Sequence, residues 1–294
     1  MKLETIYNLA IKEGIKTDPR KRQSIRNKNP YSDTMILHGN KNAEIKAILA
    51  GIDIAGPELL LIDNLRRSGK KIDLALSHHP QGPALADIHK VMAVQVDILE
   101  KAGLNKKIVQ GLLGQRMKEV ERRFSAVNHN RAVDMARLLD IPFICIHTPA
   151  DNHVVKYLQS LIDRKKPRQV KNIMELLNGI PEYRQAKGWS AGPKLILGKA
   201  DNPAGKVLVD MTGGTEGSKE VFARLSQAGV QTIIAMHLSE EHYRKIKPEH
   251  INVIIAGHIS SDSLGLNLLL DKFSKKEKLE IIPCSGFQRV ERKR

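Results

Sequence analysis

Sulfur and aromatic side chains are scarce in this chain. Only two of its 294 residues are cysteines, Cys145 and Cys284, and neither has a Cys-x-x-Cys partner. That argues against a disulfide framework and against a thiolate metal site, and it fits a reducing cytoplasm. Phe, Trp and Tyr make up 4% of the chain, with a single Trp, so stacking platforms for single-stranded nucleic acid are few. No apolar run approaches the roughly 20 residues that a membrane-spanning helix needs. The first residues, Met1-Lys2-Leu3-Glu4-Thr5, lack the basic-then-apolar pattern of a secretion signal. Internal repeats and low-complexity segments are also missing.

What the chain has in excess is positive charge. Its 48 Lys and Arg stand against 32 Asp and Glu, a formal net charge of +16. Such an excess favours polyanions or phosphorylated small molecules. The simpler reading is a solvated basic surface, preferred here over specific nucleic-acid binding. Basic residues are dense at Lys16–Lys28 and at Arg289–Arg294, the second read as a frayed terminus. Hydrophobic residues are 41% and charged residues 27%, as in an ordinary globular protein long enough for two domains.

Short apolar, β-branched runs alternate with helical spacings. Strands are expected at 45–54, 72–77, 141–146, 194–197, 207–211, 231–236, 251–256 and 279–283. Helices are expected at 3–13 (ended by Gly14), from Pro57 through Leu65, in three pieces between 83 and 139, and at 153–164. Others fall at 170–177 (stopped by Asn178-Gly179-Ile180-Pro181), at 219–228, near 239–245 and from about 262 to 273. Residues 16–33 read as a loop. The strand–helix–strand over 45–77 is a βαβ unit with a right-handed crossover. The pattern predicts an α/β protein of two interlinked domains with mainly parallel sheets. Residues 1–152 plus 248–294 would form one domain and 153–247 the other.

Three of the apolar runs end in His and Asp. Ile72–Ser77 leads into His78-His79-Pro80, Ile141–Ile146 into His147-Thr148-Pro149-Ala150-Asp151, and Ile251–Ala256 into Gly257-His258, with Asp262 four residues on. Ligands of open α/β sheets bind beyond the carboxyl ends of parallel strands, so these groups would meet in one place. Adjacent residues on an extended chain point apart; His78 and His79 reach one site only where the backbone turns, and Pro80 helps to fix that turn. His258 and Asp262 share a face if a helix starts near His258. A set of imidazoles and carboxylates suits zinc, manganese, iron or nickel and not calcium. Two neighbouring His suggest two metals, with a carboxylate such as Asp262 bridging them. Each motif alone has a bland alternative, since His pairs are common and strand-end carboxylates often cap helices. Three together favour a metal site. His89 and His129, isolated in the helical stretch, are left out.

The blocks resemble those of the NGG-one-interacting factor three-like (Nif-three-like) family, whose bacterial members are often labelled GTP cyclohydrolase I type 2. Asp73-Leu74-Ala75-Leu76-Ser77-His78-His79-Pro80 is similar to its Ser-His-His-Pro block, and Ala50-Gly51-Ile52-Asp53-Ile54 to its strand ending in Asp. His147 to Asp151 resembles its His-Thr-Asn-x-Asp block, with Pro149 in place of Asn. Ala256-Gly257-His258 with Asp262 resembles its late Gly-His block, with Asp262 where Glu is usual. Ala235-Met236-His237 stands where the family has a Thr-Gly-Asp block followed by His. Order and context agree from about Glu44 to Leu269.

The resemblance implies a metal pair on His78, His79, Asp151, His258 and Asp262. It also implies two α/β domains, a ring-shaped homohexamer, and metal-assisted hydrolysis of a nucleotide-like or other phosphorylated compound. His147, His237 and Glu241 are the candidate proton carriers. Thr212–Ser218, rich in Gly, is either a phosphate cradle or a tight strand-to-helix turn, and Lys219 either assists or faces solvent. The competing function is a non-catalytic, metal-dependent ring scaffold that binds a protein or nucleic-acid partner. An open coordination side lined by a pocket favours catalysis, and a closed site favours structure.

Overall fold

The computed structural model describes residues 1–20, 25 and 27–292. Among them are nine strands: β1 (Met35–His38), β2 (Ala47–Gly51), β3 (Leu74–Ser77), β4 (Phe143–Cys145), β5 (Lys194–Leu197), β6 (Lys206–Asp210), β7 (Val230–Ala235), β8 (Asn252–Ile255) and β9 (Glu280–Cys284). They form two sheets, ordered β1-β4-β3-β2-β9 and β5-β8-β7-β6. Every pairing is parallel except those of β1 with β4 and of β5 with β8. The α/β class with mainly parallel sheets is the one that the alternation predicts. β8, grouped from the sequence with the first unit, is hydrogen-bonded into the second sheet.

Both faces of the sheets are covered, as parallel strands require, and β2 to β4 are buried along their whole length. One face of the first sheet packs on the helices Leu3–Thr17 and His258–Ser274, through residues such as Leu3, Ile6, Leu266 and Phe273. The other packs on Gly56–Arg67 and Arg131–Leu138, through Leu59, Ile62 and Ala136. The second sheet is covered on one side by Thr148–Lys165 and Val170–Asn178. On the other side lie residues 94–125, through Leu99, Val109 and Leu113, together with Phe222 and Leu225.

Two helices belong to both cores. Thr148–Lys165 gives Ala150 to the first core and Val154 to the second; His258–Ser274 gives Leu266 to the first and Leu264 to the second. They lie so close that a Cβ on Gly265 would come within 2.5 Å of the Ala150 carbonyl oxygen and 2.7 Å of Val154 Cγ2. Only glycine permits that approach.

Several expected boundaries shift for local reasons. The first helix runs through Gly14 to Thr17, because this glycine serves a close contact: a Cβ there would sit 2.7 Å from Pro149 Cβ. Pro181 does not merely stop a helix but begins the next one, Pro181–Gly188, since proline's fixed φ and missing N–H suit a first turn. The segment read as starting at His153 begins at Thr148, with Pro149 in its first turn. β1, which the sequence reading passes over, pairs antiparallel with β4. The basic end is not frayed as far as Arg292: Arg289 pairs with Asp271 at 2.6 Å and Arg292 with Glu182 at 2.7 Å. Parts of the basic stretch Lys16–Lys28 and of Arg289–Arg294 lie outside the described residues. No helix among the described residues is long and apolar enough to cross a membrane.

Candidate metal centre

The carboxyl ends of parallel strands from both sheets face one another. His78 and His79 follow β3, His147 follows β4 by two residues, His237 follows β7 by two and His258 opens the helix after β8. Asp151 lies in the first turn of Thr148–Lys165, and Asp262 one turn into His258–Ser274. All five residues expected to hold metal therefore come together, and the structure adds His147. Ligand-type atoms of His78, His79 and His147 lie within 4.8 Å of one another, as do those of His79, His258 and Asp262 and those of His78, Asp151 and Asp262.

The rings are fixed from behind. His78 Nδ1 donates to the Ile146 carbonyl at 3.1 Å, His79 Nδ1 to Asp53 at 2.7 Å and His147 Nδ1 to Asp33 at 2.8 Å. Thr148 Oγ1 donates to the same Asp33 oxygen at 2.6 Å. An acceptor on Nδ1 sets the tautomer and turns Nε2 to the centre, the usual support of metal-binding imidazoles. Asp33 and Asp53, which support these imidazoles, carry no assignment in the sequence analysis. Asp33 lies in a stretch read as loop, while Asp53, at the end of a strand block that resembles the family's, was the detectable one.

The inward atoms lack ordinary partners. His78 Nε2 is 3.4 Å from both Asp151 Oδ1 and Asp262 Oδ1; Asp262 Oδ2 is 3.3 Å from His79 Nε2 and 3.5 Å from His258 Nε2. These separations exceed normal hydrogen-bond lengths. His78 Nε2, Asp151 Oδ1 and both oxygens of Asp262 are buried with no hydrogen-bond partner. Buried polar atoms are rarely left so, and nitrogen and oxygen donors converging on one point fit a divalent transition ion. Asp262 faces His78 with one oxygen and His79 and His258 with the other.

Electrostatics agree. Burial disfavours the charged form of His78, but Asp262 and Asp151 outweigh it and push its pKa up to about 10. His79 rises to about 9, burial again being overcome by Asp262 and Asp53. The carboxyl of Asp262 is held far below the usual range, its burial outweighed by the imidazoles of His78, His79 and His258. Protons thus balance the carboxylates where cations would otherwise do so. His258 moves the other way: burial lowers its pKa against the pull of Asp262.

A cleft opens beside His147, Asp151 and His258, walled by the Gly-rich turn and the end of β7. His237 lies there, its ring centroid 4.8 Å from that of His258 and its Nδ1 3.4 Å from Glu216. Glu216 accepts from the Ser239 backbone N–H at 2.7 Å; burial resists its ionisation, but His237 and Ser239 bring its pKa down to about 2. The turn is fastened by Gln95, whose amide donates to the carbonyls of Gly213 and Thr215. Glu241 does not join the site: it pairs with Lys219 at 2.6 Å and is 71% exposed, because its helix directs it to solvent. Lys219 faces outward with it. His89 and His129 are also elsewhere, bonded to the nearby carbonyls of Ala86 and Val127.

The chain is similar to solved structures over nearly its whole length. A NIF3 superfamily protein from Sphaerobacter thermophilus is 25% identical with a TM-score of 0.79, the match covering 96% of this chain and 98% of that one. Reduced HcgD from Methanocaldococcus jannaschii (17% identical, TM-score 0.52, 96% and 97% covered) and protein ybgI (14%, 0.55, 97% and 98%) share the fold. No protein-family model and no curated protein matches the chain. A shared two-sheet architecture, end-to-end coverage and His-Asp blocks in the expected order support membership of the NIF3-like family.

Proposed function

We propose that this is a dinuclear metal protein and a metal-dependent hydrolase of a small phosphorylated or nucleotide-like substrate. The observation that carries the reading is the set of inward, unpartnered atoms on His78, Asp151 and Asp262, ringed by imidazoles held through Nδ1. His78, His147, Asp151 and Asp262 Oδ1 would hold one ion, and His79, His258 and Asp262 Oδ2 the other. Here His147 is a ligand rather than a proton carrier. When bound, such a pair of ions would supply an activated water and a clamp for a phosphoryl or carbonyl oxygen. Among the chain's own groups, Asp33 and Asp53 orient the imidazoles, and Glu216 fixes His237 at the open side so that its other ring nitrogen can carry a proton.

The cleft beside His258 favours turnover over a purely structural ring scaffold, since closed structural sites leave no such access. Assembly into a homohexameric ring and a cytoplasmic setting complete the reading. The first follows from the family resemblance, the second from two unpaired cysteines. Elemental analysis after refilling with zinc, manganese, iron or nickel should find about two ions per chain, and a screen of phosphomonoesters and nucleotides should find metal-dependent release of product. Fewer than one ion per chain would sink the dinuclear reading. Full metal loading with no turnover, together with salt-sensitive capture of duplex DNA, would favour the scaffold.

A further inference from the structure

A second pocket of about 150 Å³ lies on the other side of His258. Its walls are mostly apolar, from Ala186, Trp189, Ala191 and Ile259. Trp189 is the only tryptophan in the chain, yet it is 63% exposed, and Ile259 beside it is 40% exposed. The turn that carries Trp189 is held firmly. Its backbone N–H and that of Ala191 both donate to Ala186, and Ser190 sits at φ 62°. The Ala191 carbonyl abuts Gly257, where a Cβ would come within 2.9 Å of it. The tryptophan is thus fastened to the strand end that delivers His258.

One polar atom at this pocket has nothing to bond. Ser263, next along the helix from Asp262, is 2% exposed, lines the pocket, and its Oγ has no hydrogen-bond partner. Leaving a buried hydroxyl unpaired is costly, so it marks a place for a ligand atom. The one carboxylate in the wall, Glu182, is already paired with Arg292 at 2.8 and 2.7 Å and with Asn267 at 3.0 Å. The pocket therefore presents no free charge.

We infer that this pocket binds an uncharged, planar nitrogen heterocycle of the substrate, stacked against Trp189 with its polar edge on Ser263. The size fits: an apolar cavity of about 150 Å³ accepts one benzene-sized ring. Aromatic stacking tolerates any such ring, and the hydroxyl, donor and acceptor at once, selects one with an amide-like edge. His258 lines both this pocket and the cleft over the centre, so a ring seated here places the attached sugar or phosphate toward the metal positions. That placement rests on the dinuclear reading; binding of the ring itself does not.

Trp189 reports its own ligand. Uridine titrated into the full chain, metal-free and zinc-loaded, should quench its emission saturably, whereas ribose 5-phosphate should not. Ser263→Ala should keep the fold and bind uridine about fivefold more weakly, the scale of one neutral hydrogen bond. Ala186→Leu, which fills the pocket, should abolish quenching. Equal quenching by ribose 5-phosphate, or unchanged affinity in Ser263→Ala, overturns the proposal. So does emission that shifts with protein concentration alone, which would make this face a contact between copies. Absence of zinc uptake with uridine quenching intact would reject the dinuclear reading and leave the ring site standing.

Discussion

Asp262→Asn is the sharpest test of the centre. The change keeps size and shape and removes one charge from a side chain that is 1% exposed. Its two oxygens face different imidazoles, so a bridging role predicts the loss of both ions. One carboxylate charge about 4 Å from a divalent ion at an effective dielectric of about 20 interacts by about 8 kcal/mol, about a millionfold in a dissociation constant. At 100 times its dissociation constant, one ion stabilises the native chain by about 2.7 kcal/mol. A chain of this length has an unfolding entropy of about 0.6 kcal/mol/K. Each ion should then raise the melting temperature by about 4 °C, and two by about 9 °C. Zinc melts of the wild type should show the larger shift, Asp262→Asn should show almost none, and His89→Ala should match the wild type. Elemental analysis of the same samples fixes the stoichiometry. An Asn variant that keeps two ions and the full shift would refute the bridge.

Metal binding should also release protons. Imidazole must be neutral to bind a cation, and His78 and His79, raised to about 10 and 9, are charged at pH 7.5; about two protons per chain should appear in a weakly buffered titration, against a small fraction of one if both titrated near 6.5. The sign follows for stability: the metal-free chain gains fully from these raised groups below pH 6.5 and loses that gain as pH rises through 9 to 10, which melts across this range would reveal. Gly265→Ala, pressing on Ala150 and Val154, should cost about 1–3 kcal/mol and weaken metal binding by moving Asp262 from Asp151. Gly111→Ala, with nothing within 4 Å in the helix Lys106–Ser125, should gain about 0.5–1 kcal/mol.

Much of the centre is legible along the chain because strand ends advertise themselves. An apolar run followed by His or Asp marks both the strand and the point where it delivers a side chain, and three such marks sufficed to name His78, His79, Asp151, His258 and Asp262. Glu241 fails for a reason that sequence hides. A carboxylate four residues beyond His237 joins the site only if its helix faces inward, and this helix turns Glu241 toward Lys219. His147 is visible, but its role is not: a carboxylate behind Nδ1 supports a proton carrier and a ligand alike, and what distinguishes them, the His78 and His79 imidazoles gathered beside it, comes from another strand end.

Periodicity, composition and the His-Asp blocks by themselves determined an α/β chain with mainly parallel strands, poor in thiolate chemistry, with imidazoles and carboxylates collected at strand ends. Each of those properties is local, written in a few neighbouring residues. Only the tertiary structure decided that two sheets aim their strand ends at one another, that β8 joins the second sheet, and that two helices shared by both cores bring Asp151 and Asp262 together across Gly265. It alone also set Asp33, Asp53 and Glu216 behind their imidazoles and stood Trp189 beside His258. Those are contacts between residues far apart in sequence, made by packing, and no local pattern encodes them.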